Sequence, residues 1–218
     1  MVRVFFDISM GKLIFSASSA IIRDLEQMSK LGLATMTFFF FDSRNKEKQT
    51  LRGLLSSALI QLCDQSDFYY DVLSKLHSKH GGGSRYPSDD ALKECLEGMI
   101  NSQGQPPVYI VVDAIDECQG AVGMPSAREK VLNLVKELID LPHENLRVCV
   151  TSRPEPDIYD ILSPIPYHSV SLHDEEGQRQ DIVNYVKDVV NAYSEKDGWT
   201  RDDKNMVIDI VSRGADGM

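Results

Sequence analysis

Short apolar runs alternate along the chain with longer stretches in which apolar residues recur every three or four positions. The runs have the length and composition of buried strands and cover residues 2–6, 34–41, 108–113, 146–152 and, more weakly, 167–172. Helical spacing of apolar residues is found over 51–62, 92–99, 131–138 and 182–190. This alternation predicts an α/β fold with a mostly parallel sheet covered by helices on both faces. The four phenylalanines of 38–41 predict a buried central strand.

The alternating pattern ends near Tyr193, where a polar stretch begins. A short helical pattern then resumes and continues to Met218. We therefore expect one α/β domain over 1–175 and the start of a helical, incomplete unit over 176–218.

Composition narrows the classes of partner. The formal net charge of −10 argues against nucleic acids and anionic membranes, which are bound through surfaces rich in lysine and arginine. The four cysteines are scattered without metal-binding spacing, which indicates reduced thiols. No apolar run reaches the roughly 18 residues of a membrane span, and no secretory pattern opens the chain. The cytoplasm is the expected location.

The strongest candidate for chemistry is the run VYIVVD at 108–113, with the acids that follow it. Asp113 falls at the end of a predicted parallel strand, where ligands bind in α/β sheets. In nucleotide-binding proteins an acid there holds Mg²⁺, and a second acid beyond it, here Asp116 or Glu117, orients the attacking water. The alternative is a polar turn with a cap between strand and helix.

The next predicted strand ends at Arg153, in the segment LRVCVTSRPEPDI (146–158). An arginine at this edge of the sheet can reach the terminal phosphate of a bound nucleotide and report whether that phosphate is present. The alternative is a surface arginine in a turn set by Pro154 and Pro156. The position of Arg153, one crossover after the acidic strand, favours the first interpretation.

A phosphate-binding loop of the form G-x-x-x-x-G-K-[ST] is only partly present. The segment FDISMGKL (6–13) contains Gly11 and Lys12, but Phe6 replaces the first glycine and Leu13 replaces the hydroxyl that binds Mg²⁺. Ser16 or Ser18 can substitute only if the register between loop and helix shifts. A chance Gly-Lys pair is the alternative.

Six segments in order, GKLIFSASSAIIRDL, FFFFDSRNKEKQT, LLSSALIQLC, VYIVVDAIDEC, LRVCVTSRPEPDI and RGADGM, resemble the NACHT-type P-loop NTPase domain of fungal STAND proteins, often labelled the nephrocystin-like N-terminal domain. The resemblance implies a three-layer P-loop NTPase fold with a five-stranded sheet. It also implies that ATP or GTP binds with Mg²⁺, and that the protein is a switch that oligomerises when activated. Relative to this family the chain is expected to be truncated at both ends. The family's functional positions correspond to Gly11 and Lys12 for phosphate, Asp113 for the metal, and Asp116, Glu117 and Arg153 for the reaction.

Two hypotheses from different classes follow. The first is a nucleotide-dependent signalling switch with weak or no hydrolysis, which self-associates or binds other NACHT domains. The second is a non-catalytic pseudo-NTPase interaction module that has lost its phosphate loop. Phe6 and Leu13 favour the second hypothesis, whereas Asp113 and Arg153 favour the first. A third possibility, a non-functional fragment that folds poorly, is tested by whether unfolding is cooperative.

Overall fold

The computed structural model describes residues 3–7, 11–118, 125–140, 145–153, 155–164, 168–171, 183–184, 186–187, 190–191 and 200–214. Within these ranges it describes the backbone alone for 3–7, 11–17, 168–171 and 212–214. The chain divides into two compact units, Met1–Val170 and Ser171–Met218. The assignment of 1–175 to an α/β domain and of 176–218 to an incomplete helical unit stays a prediction.

Strands and helices follow one another along the chain, with three helices between the second and the third strand. The strands are β1 (Arg3–Asp7), β2 (Thr35–Phe40), β3 (Val108–Asp113), β4 (Leu146–Ser152) and β5 (His168–Ser171). The helices are α1 (Gly11–Lys30), α2 (Leu51–Cys63), α3 (Asp67–Lys79), α4 (Asp89–Ile100), α5 (Ala127–Asp140), α6 (Pro156–Leu162) and, in the second unit, α7 (Arg201–Gly214). Short 3-10 turns cover Lys46–Gln49 and Ile115–Glu117.

The apolar patterns located most of these elements. The predicted strands over 34–41, 108–113 and 146–152 are confirmed by β2, β3 and β4, and three of the predicted helical stretches lie in α2, α4 and α5. The fourth stretch, 182–190, lies largely outside the described residues. The sequence interpretation omitted α3, although its buried Tyr69 and partly buried Val72, Leu73 and Leu76 have helical spacing.

The sheet is mostly parallel, which confirms the predicted α/β class. Its strands lie in the order β2-β3-β4-β1-β5. The pairs β2–β3, β3–β4 and β1–β4 are each parallel, with Phe40 opposite Asp113, Val112 opposite Val150, and Asp7 opposite Ser152. The carboxyl ends of these four strands therefore meet at one edge of the sheet.

Helices pack on both faces of the sheet, because its strands are apolar on both sides. On one face, Ile22 and Leu25 of α1 pack with Met36 of β2 and Val111 of β3. On the other face, a larger cluster joins β2, β3 and β4 to helices α2 to α6, with Leu55 and other side chains fully buried. Burial of each such leucine contributes about 1.5–3 kcal/mol.

The prediction that 38–41 forms a central strand was wrong, because β2 ends the strand order. Phe39 and Phe41 are buried, whereas Phe38 and Phe40 are half-buried against the α1 face. The apolar run is therefore explained by the helices that cover both faces of β2. It does not indicate that β2 has a neighbouring strand on each side.

The free edge of β2 is covered by two glutamines, one in the last turn of α2 and one just after that helix. Gln61 accepts a hydrogen bond from the Phe38 amide at 3.0 Å and donates to the Phe38 carbonyl at 2.8 Å. Gln65 makes the same pair of bonds with Met36, at 2.9 Å and 2.6 Å. These side-chain amides satisfy backbone groups that a neighbouring strand would otherwise bind.

The first turn of α2 packs tightly against the preceding 3-10 turn, and this predicts a cost for Gly53→Ala. Thr50 caps the helix by accepting a hydrogen bond from the Gly53 amide at 3.0 Å. A Cβ at Gly53 would lie 2.4 Å from the carbonyl oxygen of Glu47, so the backbone must shift. We expect a loss of about 1–3 kcal/mol in the free energy of unfolding, measured by urea denaturation.

The matched control is Gly98→Ala in the last turn of α4. A Cβ there would meet only Val72 Cγ1, at 3.9 Å, so the gain in helix propensity of up to about 1 kcal/mol should dominate. If Gly53→Ala were as stable as the wild-type protein, the close approach to Glu47 would not constrain this turn.

The four cysteines are free thiols, as their scattering predicted. Burial raises the pKa of Cys118 to about 11 and the pKa of Cys149 to about 12, so both remain protonated at neutral pH. No described helix has the length and apolar character needed to cross a membrane.

Candidate functional site

A cavity of about 240 Å³ opens at the carboxyl ends of β2, β3 and β4. It brings together four of the residues predicted from the sequence, Asp113, Asp116, Glu117 and Arg153. Its remaining lining residues are Phe40, Phe41, Asp42, Arg44, Lys48 and Ala114. The cavity lies where parallel sheets bind ligands.

Asp113 ends β3 as a buried carboxylate, with 2% of its surface exposed. Its Oδ1 accepts hydrogen bonds from the Ser18 hydroxyl of α1 and from Thr151 Oγ1 of β4, the latter at 2.5 Å. Burial raises the pKa of Asp113, the two hydroxyl bonds act in the opposite direction, and the charges of Asp116 and Glu117 raise it further. Among the described residues, no cation pairs with this carboxylate.

The chain turns sharply directly after Asp113. Ala114 has φ of 56°, in the left-handed region that costs a non-glycine residue about 1–2 kcal/mol. Its amide donates to Thr151 Oγ1 at 3.0 Å, and the next residue, Ile115, is fully buried. The turn is therefore fixed from both sides, and Asp116 and Glu117 follow within the 3-10 turn at the cavity.

Asp116 and Arg153 bind each other. The Asp116 side chain is 5% exposed, and its Oδ2 lies 3.4 Å from Arg153 Nε. Its Oδ1 also accepts a hydrogen bond from the Arg153 amide at 3.1 Å. The Arg153 side chain is 53% exposed, so an anion in the cavity can reach its guanidinium.

Glu117 ties the loop after β2 to the turn after β3. Its Oε2 accepts a hydrogen bond from the Ser43 amide at 3.0 Å. The loop is ordered internally by the buried Gln49, whose Nε2 donates to the carbonyls of Asp42 at 3.2 Å and Ser43 at 2.6 Å. A hydrogen bond from the Arg44 side chain lowers the pKa of Asp42. Hydrogen bonds therefore hold this loop in place as one side of the cavity.

Two cations of this loop were not assigned to the site from the sequence. Arg44 and Lys48 line the cavity, but neither follows a motif or ends a predicted strand. Their placement depends on how the loop folds around Gln49, which no spacing rule predicts.

Arg128, in the first turn of α5, is a further residue that the sequence did not single out. Its side chain is 11% exposed and reaches both the turn after β3 and the turn after β4. A lone arginine in an amphipathic helix has no signal that distinguishes it from a solvated one.

Gly11 and Lys12 open α1 directly after β1 and the three residues that follow it. Because Asp7 pairs opposite Ser152, β1 ends at the same edge of the sheet as Arg153. The side chains of Lys12 and Leu13 lie outside the described residues. Ser18, considered above as a replacement hydroxyl, is fully buried against Asp113.

The acids of the cavity do not form an all-protein metal cage. Among the described side chains, no three histidines, cysteines or acids converge on a metal-sized space. Magnesium in nucleotide sites takes one or two carboxylates, with phosphate and water as the other ligands. The buried carboxylate of Asp113, which pairs with no cation among the described residues, fits that kind of site.

The fold is an α/β domain with a cavity at the carboxyl ends of its parallel strands. The family described as Nephrocystin 3, N-terminal matches residues 8–153, and the chain belongs to this family. The matched region begins before Gly11 and ends at Arg153, so it includes every predicted site residue. No curated protein matches the chain.

Proposed function

We propose that the chain is a nucleotide-binding signalling module of the STAND class, built on a three-layer P-loop NTPase fold with a five-stranded sheet. It binds ATP or GTP with Mg²⁺ and turns it over slowly or not at all. The observation that carries the proposal is Asp113, a buried carboxylate that faces a cavity and has hydroxyls as its hydrogen-bond partners.

A buried carboxylate is costly unless a cation or several donors compensate its charge. Asp113 has two hydroxyl donors on one oxygen, and two further acids nearby disfavour its charge. Bound Mg²⁺ supplies the missing positive charge and neutralises phosphate oxygens. The clustering of four carboxylates with Arg44, Lys48 and Arg153 around one cavity is typical of a site for a metal-bound anion.

The remaining roles follow from position. Lys12 contacts phosphate and the backbone of Gly11 contributes amide groups at the start of α1. Asp113 holds the metal, and Arg153 senses the terminal phosphate by leaving Asp116.

Slow turnover follows from the hydrogen bonds of the two acids that could orient water. Asp116 is engaged by Arg153, and Glu117 is engaged by Ser43. Each must leave its partner before it can bind a water next to a phosphate. Slow hydrolysis suits a switch, because the nucleotide then remains bound unhydrolysed long enough to signal.

A non-catalytic interaction module is the second candidate. Phe6 lies in β1 where a glycine would open the phosphate loop, and Leu13 lies in α1 where a hydroxyl would bind Mg²⁺. If the loop does not hold phosphate, the domain acts by self-association or by binding related domains.

Calorimetric titration with ATP and ADP, each with and without Mg²⁺, separates the two candidates. Micromolar affinity that strengthens with Mg²⁺ supports the switch, provided that Asp113→Ala loses the Mg²⁺-dependent part of the affinity. Asp71→Ala, at an exposed position of α3, is the control and should bind like the wild-type protein. No binding by a cooperatively folded chain would favour the interaction module.

A further inference from the structure

Arg128 joins two separate turns of the cavity through one side chain. Its Nε donates to the Cys118 carbonyl at 2.8 Å and its Nη2 donates to the Asp116 carbonyl at 2.6 Å. Its Nη1 binds Glu155, and also Asp157 at 3.1 Å. Every nitrogen of the guanidinium is therefore used, although the side chain lies only 11% exposed.

Each of these turns carries a residue of the proposed site. The turn after β3 contains Asp116 and Glu117, and the turn after β4 begins at Arg153. Arg128 binds the first turn through backbone carbonyls and the second through carboxylates. It does not line the cavity, so its effect on a ligand passes through the turns that it holds.

We propose that Arg128 is a positioning residue that couples the acidic turn to the turn bearing Arg153, so that Asp116 and Arg153 meet in register. This inference rests on the proposed function for its ligand, but the coupling is a property of the chain itself. A change in the Asp116–Arg153 pair would be transmitted through Arg128 to α5.

The geometry requires an arginine. A guanidinium presents donors in a fixed planar fork that can span two carbonyls and a carboxylate, whereas a lysine ammonium is a single charged point. Glu155 and Asp157 are 38% and 52% exposed, so water can replace Arg128 at their carboxylates. Cys118 is fully buried, so its carbonyl would lose its donor. Removing Arg128 should therefore loosen the acidic turn first.

Two variants and one control test the coupling. Arg128→Met removes every donor, while Arg128→Lys keeps the charge beside Glu155 and Asp157 but cannot reach both carbonyls. Arg52→Met is the control, because Arg52 also combines an ion pair, to Asp89 at 3.0 Å, with a bond to a carbonyl, that of Pro87, at 2.6 Å. Arg52 does not line the cavity.

The first readout is the factor by which Mg²⁺ strengthens ATP binding. We expect both Arg128 variants to lower this factor by about tenfold or more, as loss of a supporting shell commonly does at metal sites. Arg128→Lys should keep more of the resistance to urea than Arg128→Met, and Arg52→Met should leave the factor unchanged. A folded Arg128→Lys protein with the wild-type factor would overturn the proposal.

The second readout needs no nucleotide. It is a double-mutant cycle of Arg128→Met and Arg153→Met. The double variant should change the unfolding equilibrium constant by a factor at least about threefold smaller than the product of the two single-variant factors, although the two side chains have no direct bond. If the wild-type chain binds no nucleotide, the proposed function fails and this cycle decides the inference. Additive effects would overturn the coupling.

Discussion

Asp113→Asn is expected to stabilise the fold at neutral pH while it removes the Mg²⁺-dependent part of nucleotide binding. The wild-type side chain is a carboxylate buried next to Asp116 and Glu117, and burial is the main reason that its pKa is raised. Asparagine has the same shape and keeps a carbonyl oxygen that can accept from Ser18 and Thr151. The substitution therefore removes a buried charge without removing its donors.

The sign of the pH dependence follows from the raised pKa of Asp113. A folded state that binds a proton more tightly than the unfolded state is stabilised most below the unfolded pKa, and this contribution is lost as the pH rises through the folded pKa. Each unit by which the pKa is raised costs about 1.4 kcal/mol at neutral pH. Asparagine has no such titration, so the advantage of the variant should grow with pH.

Urea unfolding of both proteins from about pH 4 to about pH 8 measures this difference. Asp71→Asn, at an exposed position of α3, controls for the loss of one negative charge from an acidic chain. A variant that is less stable than the wild-type protein at neutral pH would mean that the buried charge of Asp113 costs less than the amide hydrogens that asparagine introduces. The assignment of the metal to Asp113 would then lose its main support.

This trade-off explains why residues of the candidate site could be named from the sequence. A buried strand that ends in a carboxylate works against folding, so the run ending at Asp113 is unusual even without its neighbours. Arg153 was predictable for a related reason, because parallel strands deliver their last residues to one edge of the sheet. Both predictions use only local order along the chain and the geometry of a parallel sheet.

Other parts of the site depend on contacts between distant segments. The Arg128 partners lie 10 to 29 positions away in sequence and meet only when both turns are folded. Arg44 and Lys48 reach the cavity because Gln49 folds the loop that contains them. The edge position of β2 was misjudged because apolar residues report what covers the faces of a strand. In each case the prediction would have required knowledge of tertiary contacts.

The edge of β2 leads to the second large effect. Substitution of both Gln61 and Gln65 by alanine should lower the free energy of unfolding by about 2–4 kcal/mol, because four hydrogen bonds to the strand backbone are lost. The variant should also associate more strongly with rising concentration. Its edge would present unpaired backbone groups beside the half-buried Phe38 and Phe40, which favours pairing with another chain.

Urea unfolding and sedimentation over a range of concentrations measure the two effects. Gln27→Ala, at an exposed position of α1, makes the same chemical change away from the edge and should alter neither. Gln61→Glu separates the two bonds of this side chain. A carboxylate can still accept from the Phe38 amide but cannot donate to the Phe38 carbonyl, so at least about half of the effect of Gln61→Ala should remain. If the double alanine variant kept wild-type stability and association, water would replace the glutamines fully, and their pairing with β2 would not protect the edge.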